Sequence, residues 1–86
     1  QESQVAELSV FPNPAQRFAV VSLGENCQAV AIELYNTLGM NLMRLSVQDN
    51  HRVQLDLSNF ANGVYVVRAI NAHGQLVGRA KLAVQR

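Results

Sequence analysis

His51-Arg52-Val53-Gln54-Leu55-Asp56-Leu57-Ser58-Asn59-Phe60-Ala61-Asn62-Gly63-Val64-Tyr65 reads as a strand, a crossing and the start of a further strand. Val53, Leu55 and Leu57 point one way, while Arg52, Gln54 and Asp56 point the other. That alternation marks a strand with one buried face. The segment from Leu57 to Gly63 is too long for a tight hairpin, and its Leu57 and Phe60 are apolar. It is expected to arch from one sheet to a second, with Phe60 tucked into the core. Tyr65 then stands near the start of the next strand.

Working outward, the same period recurs. Val30, Ile32 and Leu34 alternate with Ala31, Glu33 and Tyr35. Val64–Ala72 is apolar on both faces near its start, which predicts a central strand covered on both sides. Asn36-Thr37-Leu38-Gly39 and Asn71-Ala72-His73-Gly74 share the pattern Asn-x-x-Gly. In such a turn Asn caps through its side chain and Gly takes the left-handed conformation that closes a hairpin. Pro12-Asn13-Pro14 ends the first strand, because proline has no amide hydrogen for a ladder, and the break there is expected to let the chain change sheets. Gly78 falls inside the last strand and suggests a bulge or a close backbone approach. The reading is all-β, with seven strands at roughly 5–11, 17–23, 29–36, 40–47, 51–57, 64–72 and 75–85. Seven short strands with regular turns argue a seven-stranded immunoglobulin-like β-sandwich, a fold that places a tyrosine like Tyr65 so that its hydroxyl bonds back to the crossing loop.

The chain has 86 residues, 49% of them apolar and 15% charged, which suits one domain with a compact core and leaves little room for a deep substrate cavity. A net charge of +1 argues against nucleic acid as a partner. No apolar run approaches the roughly 20 residues that span a bilayer. Residues 1–4, Gln-Glu-Ser-Gln, are expected to be the end of a linker from a preceding domain, and residues 5–86 the sandwich itself. Cys27 is the single cysteine, so no intrachain disulfide framework is available.

Catalytic chemistry finds little support. His51 and His73 lack metal-ligand spacing to each other or to Cys27, and both are expected to face solvent. No nucleophile-elbow or cysteine-protease signature surrounds Ser9, Ser22, Ser46, Ser58 or Cys27. The acids Glu2, Glu7, Glu25, Glu33, Asp49 and Asp56 are scattered, and nothing selects a pair. No enzyme activity, cofactor or metal is expected. Arg79 and Lys81 alternate on the outward face of the last strand, with Arg68 on its neighbour and Arg86 after it. They form either a modest patch for an acidic partner or a solvated face that discourages edge-to-edge aggregation.

Four segments together resemble the type A C-terminal sorting domains of type IX (Por) secretion system cargo proteins. Val10-Phe11-Pro12-Asn13-Pro14 is similar to the family's opening, and Ile32–Gly39 to its strand-turn-Gly segment. Leu57–Tyr65 resembles its Leu-Ser-x-Leu-x-x-Gly-Val-Tyr motif, with Phe60 in place of the commoner Leu. Lys81–Arg86 resembles its closing Lys-Leu-x-Val, and Met40 stands where a basic residue is frequent.

The resemblance implies a non-catalytic secretion signal that directs an attached cargo across the outer membrane. It implies passage through the periplasm, then the cell surface or the medium. It implies as partners the outer-membrane translocon, a surface sortase-like protease and anionic lipopolysaccharide. On this reading Gly63, Val64, Tyr65, Lys81, Leu82 and Val84 carry recognition, the last strand offering unpaired backbone groups at a sheet edge. Pro12, Asn13, Pro14, Asn36, Gly39, Asn71 and Gly74 define the turns. An apolar edge is compatible with a homodimer. The competing reading is an adhesive or spacer module of immunoglobulin or fibronectin type that binds protein or glycan. A small inhibitor would need a protruding loop, for which only Leu23–Ala29 is a candidate.

Overall fold

The computed structural model describes residues 5–24, 27–47 and 51–86. Residues 1–4, expected as linker, lie outside the described residues, as do Glu25 and Asp49. The strands are β1 (Ala6–Glu7), β2 (Ser9–Phe11), β3 (Phe18–Ser22), β4 (Ala29–Tyr35), β5 (Asn41–Ser46), β6 (Arg52–Asp56), β7 (Gly63–Asn71) and β8 (Leu76–Val84). They form a five-stranded sheet in the order β1-β8-β7-β4-β5 and a three-stranded sheet in the order β2-β3-β6.

Among the described residues eight strands stand where seven were expected, because the first one divides. β1 pairs in parallel with β8 (Ala6 with Gly78, Glu7 with Arg79), whereas β2 pairs antiparallel with β3 in the other sheet. The chain therefore changes sheets at Leu8, four residues before Pro12. The expectation of a change at the proline break is corrected: β2 and β3 on either side of it lie in the same sheet, with Ala15 between them bridging to Val84 of β8. Leu8 is buried. Its side chain lies against the backbone of Gly78, where an added Cβ would meet Leu8 Cδ2 at 2.7 Å. Gly78 is thus fixed by close approach.

The inner faces share one core. Ile32, Leu34, Val67 and Leu82 from the larger sheet face Val21 and Leu55 from the smaller, with Leu57 just beyond β6, and all seven are essentially inaccessible. Each such side chain contributes roughly 1.5–3 kcal/mol through burial. The crossing from β6 to β7 joins the two sheets.

β7 is central in its sheet, but only one face is covered: Tyr65, Val67 and Ala69 are buried, while Val64 and Arg68 are exposed. Val30 shares one side of the alternation with Ile32 and Leu34 in the sequence, but it does not share their burial. It is 45% exposed, because the register slips between Ala29 and Ala31 and leaves Val30 as the extra residue of a bulge.

The two hairpin turns are built alike. Asn36 Oδ1 accepts from the amides of Leu38 and Met40 at 2.9 and 3.0 Å, and Asn71 Oδ1 from those of His73 and Gln75 at 2.9 Å each. Gly39 and Gly74 carry φ of 86° and 80°, which glycine adopts without a Cβ penalty.

Candidate functional site

All four of the segments singled out in the sequence meet at one end of the molecule. The antiparallel register of β7 and β8 sets Gly63 against Val84, Val64 against Ala83, Tyr65 against Leu82 and Val66 against Lys81. The end of β4 lies beside them, Tyr35 opposite Val66, so the Asn36–Gly39 turn belongs to this end too. The Asn71–Gly74 turn closes the opposite end of the same hairpin.

Asn13 joins the opening segment to β8. Its Nδ2 donates to the Lys81 carbonyl at 3.0 Å, and its Oδ1 accepts from the Ala83 amide at 3.0 Å. Ala15 continues the contact, donating to Ala83 O at 2.7 Å and accepting from Gln85 N at 2.8 Å. Pro12 and Pro14 offer no amide hydrogen, so the Asn13 side chain supplies the donor that the backbone lacks there and adds an acceptor of its own. Leu8 N donates to Arg79 O at 3.1 Å further along the same edge. The expectation of unpaired backbone along the last strand is corrected here: β8 is paired with β7 on one side and engaged by β1, Asn13 and Ala15 on the other.

The crossing arch is held from within. The Tyr65 hydroxyl donates to the Ala61 carbonyl at 2.6 Å, and its ring meets Phe60 edge-on with centroids 5.5 Å apart. Phe60 is half-buried against the core. At the arch entrance the Asp56 carboxylate accepts from the Ser58 hydroxyl at 2.6 Å and the Ser58 amide at 3.1 Å. These bonds hold its pKa below the ordinary value, the hydroxyl contributing most.

Arg86 was grouped with the cations of the last strand, but it turns away from them. Its guanidinium donates to the carbonyls of Gln16, Phe60 and Leu57, and its amide to Asn62 Oδ1 at 3.1 Å. It fastens the arch to the segment before β3.

Six residues were expected to carry recognition, and the structure divides them. Tyr65, Leu82 and Val84 are buried and belong to the core. Gly63, Val64 and Lys81 are exposed. Gly63 has φ 158°, which L side chains rarely adopt. Pro12, Asn13 and Pro14 are exposed beside them, as are Leu38 (83%) and Met40 (56%) on the neighbouring turn. The result is an end with an apolar rim and a single flanking lysine.

The outward face of the five-stranded sheet carries a charged row that crosses every strand. Reading the register from β1 to β5 gives Glu7, Arg79, Arg68, Glu33 and Arg44. Glu33 is buried; it accepts from the Tyr35 hydroxyl at 2.6 Å and is ion-paired with Arg44. The Tyr35 bond, helped by Arg44 and opposed by burial, holds the Glu33 carboxyl below its ordinary pKa, and the same bond pushes the Tyr35 hydroxyl up. The Arg68 guanidinium lies over the Tyr35 ring at 4.8 Å. Of this row the sequence pointed to Arg68 and Arg79. The pairing of Glu33 with Arg44 was missed; the signal was Glu33 and Tyr35 two residues apart on one strand face.

Elsewhere, His51 and His73 are exposed, and Cys27 is a free thiol half-buried against the core. Among the described residues no group of three or more His, Cys, Asp or Glu is placed to hold a metal. A shallow, open groove of about 500 Å³ runs beside β8, lined by Glu7, Asn13, Val66, Arg79, Ala80 and Lys81.

Comparison with known proteins gives one family. The model described as "Secretion system C-terminal sorting domain" matches residues 9–85. A relative, the ulvan lyase NLR42 of Nonlabens ulvanivorans, is 28% identical over 81 residues, which is 94% of this chain and 15% of that protein. No solved structure matches.

Proposed function

This chain belongs to the family of type IX secretion C-terminal sorting domains, and from that membership we propose that the folded domain, rather than a linear peptide within it, is the address its machinery reads. The domain is a sorting signal, non-catalytic in itself, recognised by the type IX machinery and implying export across the outer membrane to the surface or the medium. We assign the reading to the outer-membrane translocon, met from the periplasm. Processing by a surface sortase-like protease and joining of the cargo to anionic lipopolysaccharide follow export on this reading. Five strands facing three, with the first strand divided, is an immunoglobulin-like arrangement. Any homodimer would pair through the sheet edges β5, β2 or β6.

The observation that carries the proposal is the meeting of all four family segments at one end. Within that end Gly63, Val64 and Lys81 form the readable surface. Tyr65, Leu82 and Val84 act beneath it, fixing the strands whose exposed residues are presented. Each exposed residue is held by a buried one opposite or adjacent, so the surface exists only when the core is closed.

The test compares exposed substitutions at the two ends of the molecule, in a reporter fusion expressed in a type IX-competent strain. Val64→Asp changes the convergent end without touching the core, and His73→Ala changes the opposite turn. Val64→Asp is expected to lower surface display by about tenfold, a loss of about 1.4 kcal/mol in recognition, with an unchanged melting curve. His73→Ala is expected to export like the parent. Equal export of both variants would refute recognition at this end.

A further inference from the structure

We infer that the outward face of the five-stranded sheet, centred on Arg68, Arg79 and Lys81, docks an acidic segment of a partner protein. The inference rests on the sorting function above and adds the surface and the chemistry of what meets it.

The first observation is a charge arrangement that works against the fold. Arg68 and Arg79 are direct cross-strand partners on the solvent side of β7 and β8. Like charges directly opposite one another destabilise a sheet. Lys81 follows Arg79 on the same face. Among the described residues the side chains of Arg79 and Lys81 make no ion pair.

The second observation is that the nearest acid on β4 is already engaged. Glu33 stands opposite Arg68 in register, yet its carboxylate is taken up by Tyr35 and Arg44. Arg68 leans instead on the Tyr35 ring. Three cations are thus left on the β7–β8 half of the face, with Glu7 at its margin.

The third observation selects the occupant. The cations are interleaved with Val64, Val66 and Ile70, which are exposed or half-buried on the same face, and with Tyr35. Arginine and tyrosine among aliphatic side chains is the composition of a protein interface. An anionic lipid surface calls for denser clusters of about 4–8 basic residues. Guanidinium groups match carboxylates through two parallel hydrogen bonds. A segment with two or more Asp or Glu fits the face, and the groove between Glu7, Asn13 and Lys81 has room for a side chain at its border.

The experiment uses the reporter fusion with Arg79→Gln plus Lys81→Gln, which leaves the Arg68–Tyr35 contact in place. Arg17→Gln, beside the other sheet, is the control. The double variant is expected to keep or raise the thermal midpoint, since it relieves a like-charge pair, while surface display falls by about tenfold. The control is expected to match the parent. Parent and double variant exporting equally would overturn the docking inference and remove Lys81 from the readable surface, while Gly63, Val64 and the sorting function would stand. A parent that is not exported would overturn both. A lower midpoint in the double variant would show that the cations hold the fold, against the inference. Binding of the purified parent to phosphatidylglycerol vesicles that the double variant loses would assign the face to lipid, and a dimer in scattering that the variant breaks would assign it to a second copy; either contradicts an acidic protein partner.

Discussion

Asn13 stands between two residues that cannot donate a backbone hydrogen bond, and its side chain bonds β8 in their place. Removing it strands the Lys81 carbonyl and the Ala83 amide. Asn13→Ala is expected to lower unfolding free energy by about 0.5–1.5 kcal/mol for each bond lost, the usual net worth of a hydrogen bond where water can reach the freed groups, read from urea midpoints. Asn13→Asp keeps the acceptor for Ala83 but turns an acceptor toward the Lys81 carbonyl, so it should be no better than Ala at neutral pH. Glu33 makes a pH prediction. Its carboxyl is held below the ordinary value by the Tyr35 hydroxyl first and Arg44 after it. A depressed folded pKa means that the stabilisation is present above the ordinary carboxylate range and is lost as pH falls through the folded value. Urea midpoints of the parent should therefore drop on acidification below about pH 4 by more than those of Glu33→Gln; parallel curves would refute the role. Little of this residue-level detail was legible in the sequence. The Pro-Asn-Pro break was plain, but nothing in it tells which strand the asparagine will reach nearly 70 positions away.

At the scale of elements, the strands and turns were readable for local reasons. Alternation over Arg52–Leu57 and the paired Asn-x-x-Gly turns are written in neighbouring residues. What strand faces what was not local. A bulge in each hairpin shifts the register by one residue, at Leu34/Tyr35 and at Ala69/Ile70. Without the shifts Met43 would oppose Glu33 and Gly78 would oppose Arg68, and the charged row would not form. The division of the first strand at Leu8 was equally hidden, since the residues from Val5 to Phe11 give no sign of a change of partner. That division makes a prediction through Gly78. Gly78→Ala puts a methyl against the Leu8 side chain and should destabilise by about 1–3 kcal/mol, as overpacking does. Combining it with Leu8→Ala should cost less than the sum of the two single changes. Additive losses in the double-mutant cycle would show that the two sites are not in contact.

For the whole molecule, the address and the core are made from the same strands. Leu82 and Val84 are core residues, and Arg86 ties the arch to the segment before β3. Deleting residues 81–86 should therefore abolish the cooperative thermal transition, because losing a single buried Leu side chain already costs about 2–5 kcal/mol. Loss of export in that truncation would report unfolding, and only exposed variants separate recognition from folding. The all-β class and the resemblance to a sorting domain were legible because the family segments are local strings in a fixed order. Their meeting at one end was not, because it depends on pairings between distant segments. The most direct measurement fuses residues 5–86 behind a periplasmic reporter and quantifies surface and medium reporter in a type IX-competent strain and in its translocon-deleted sibling. The account predicts display or release in the first and retention inside the outer membrane in the second. Retention in both strains would contradict it.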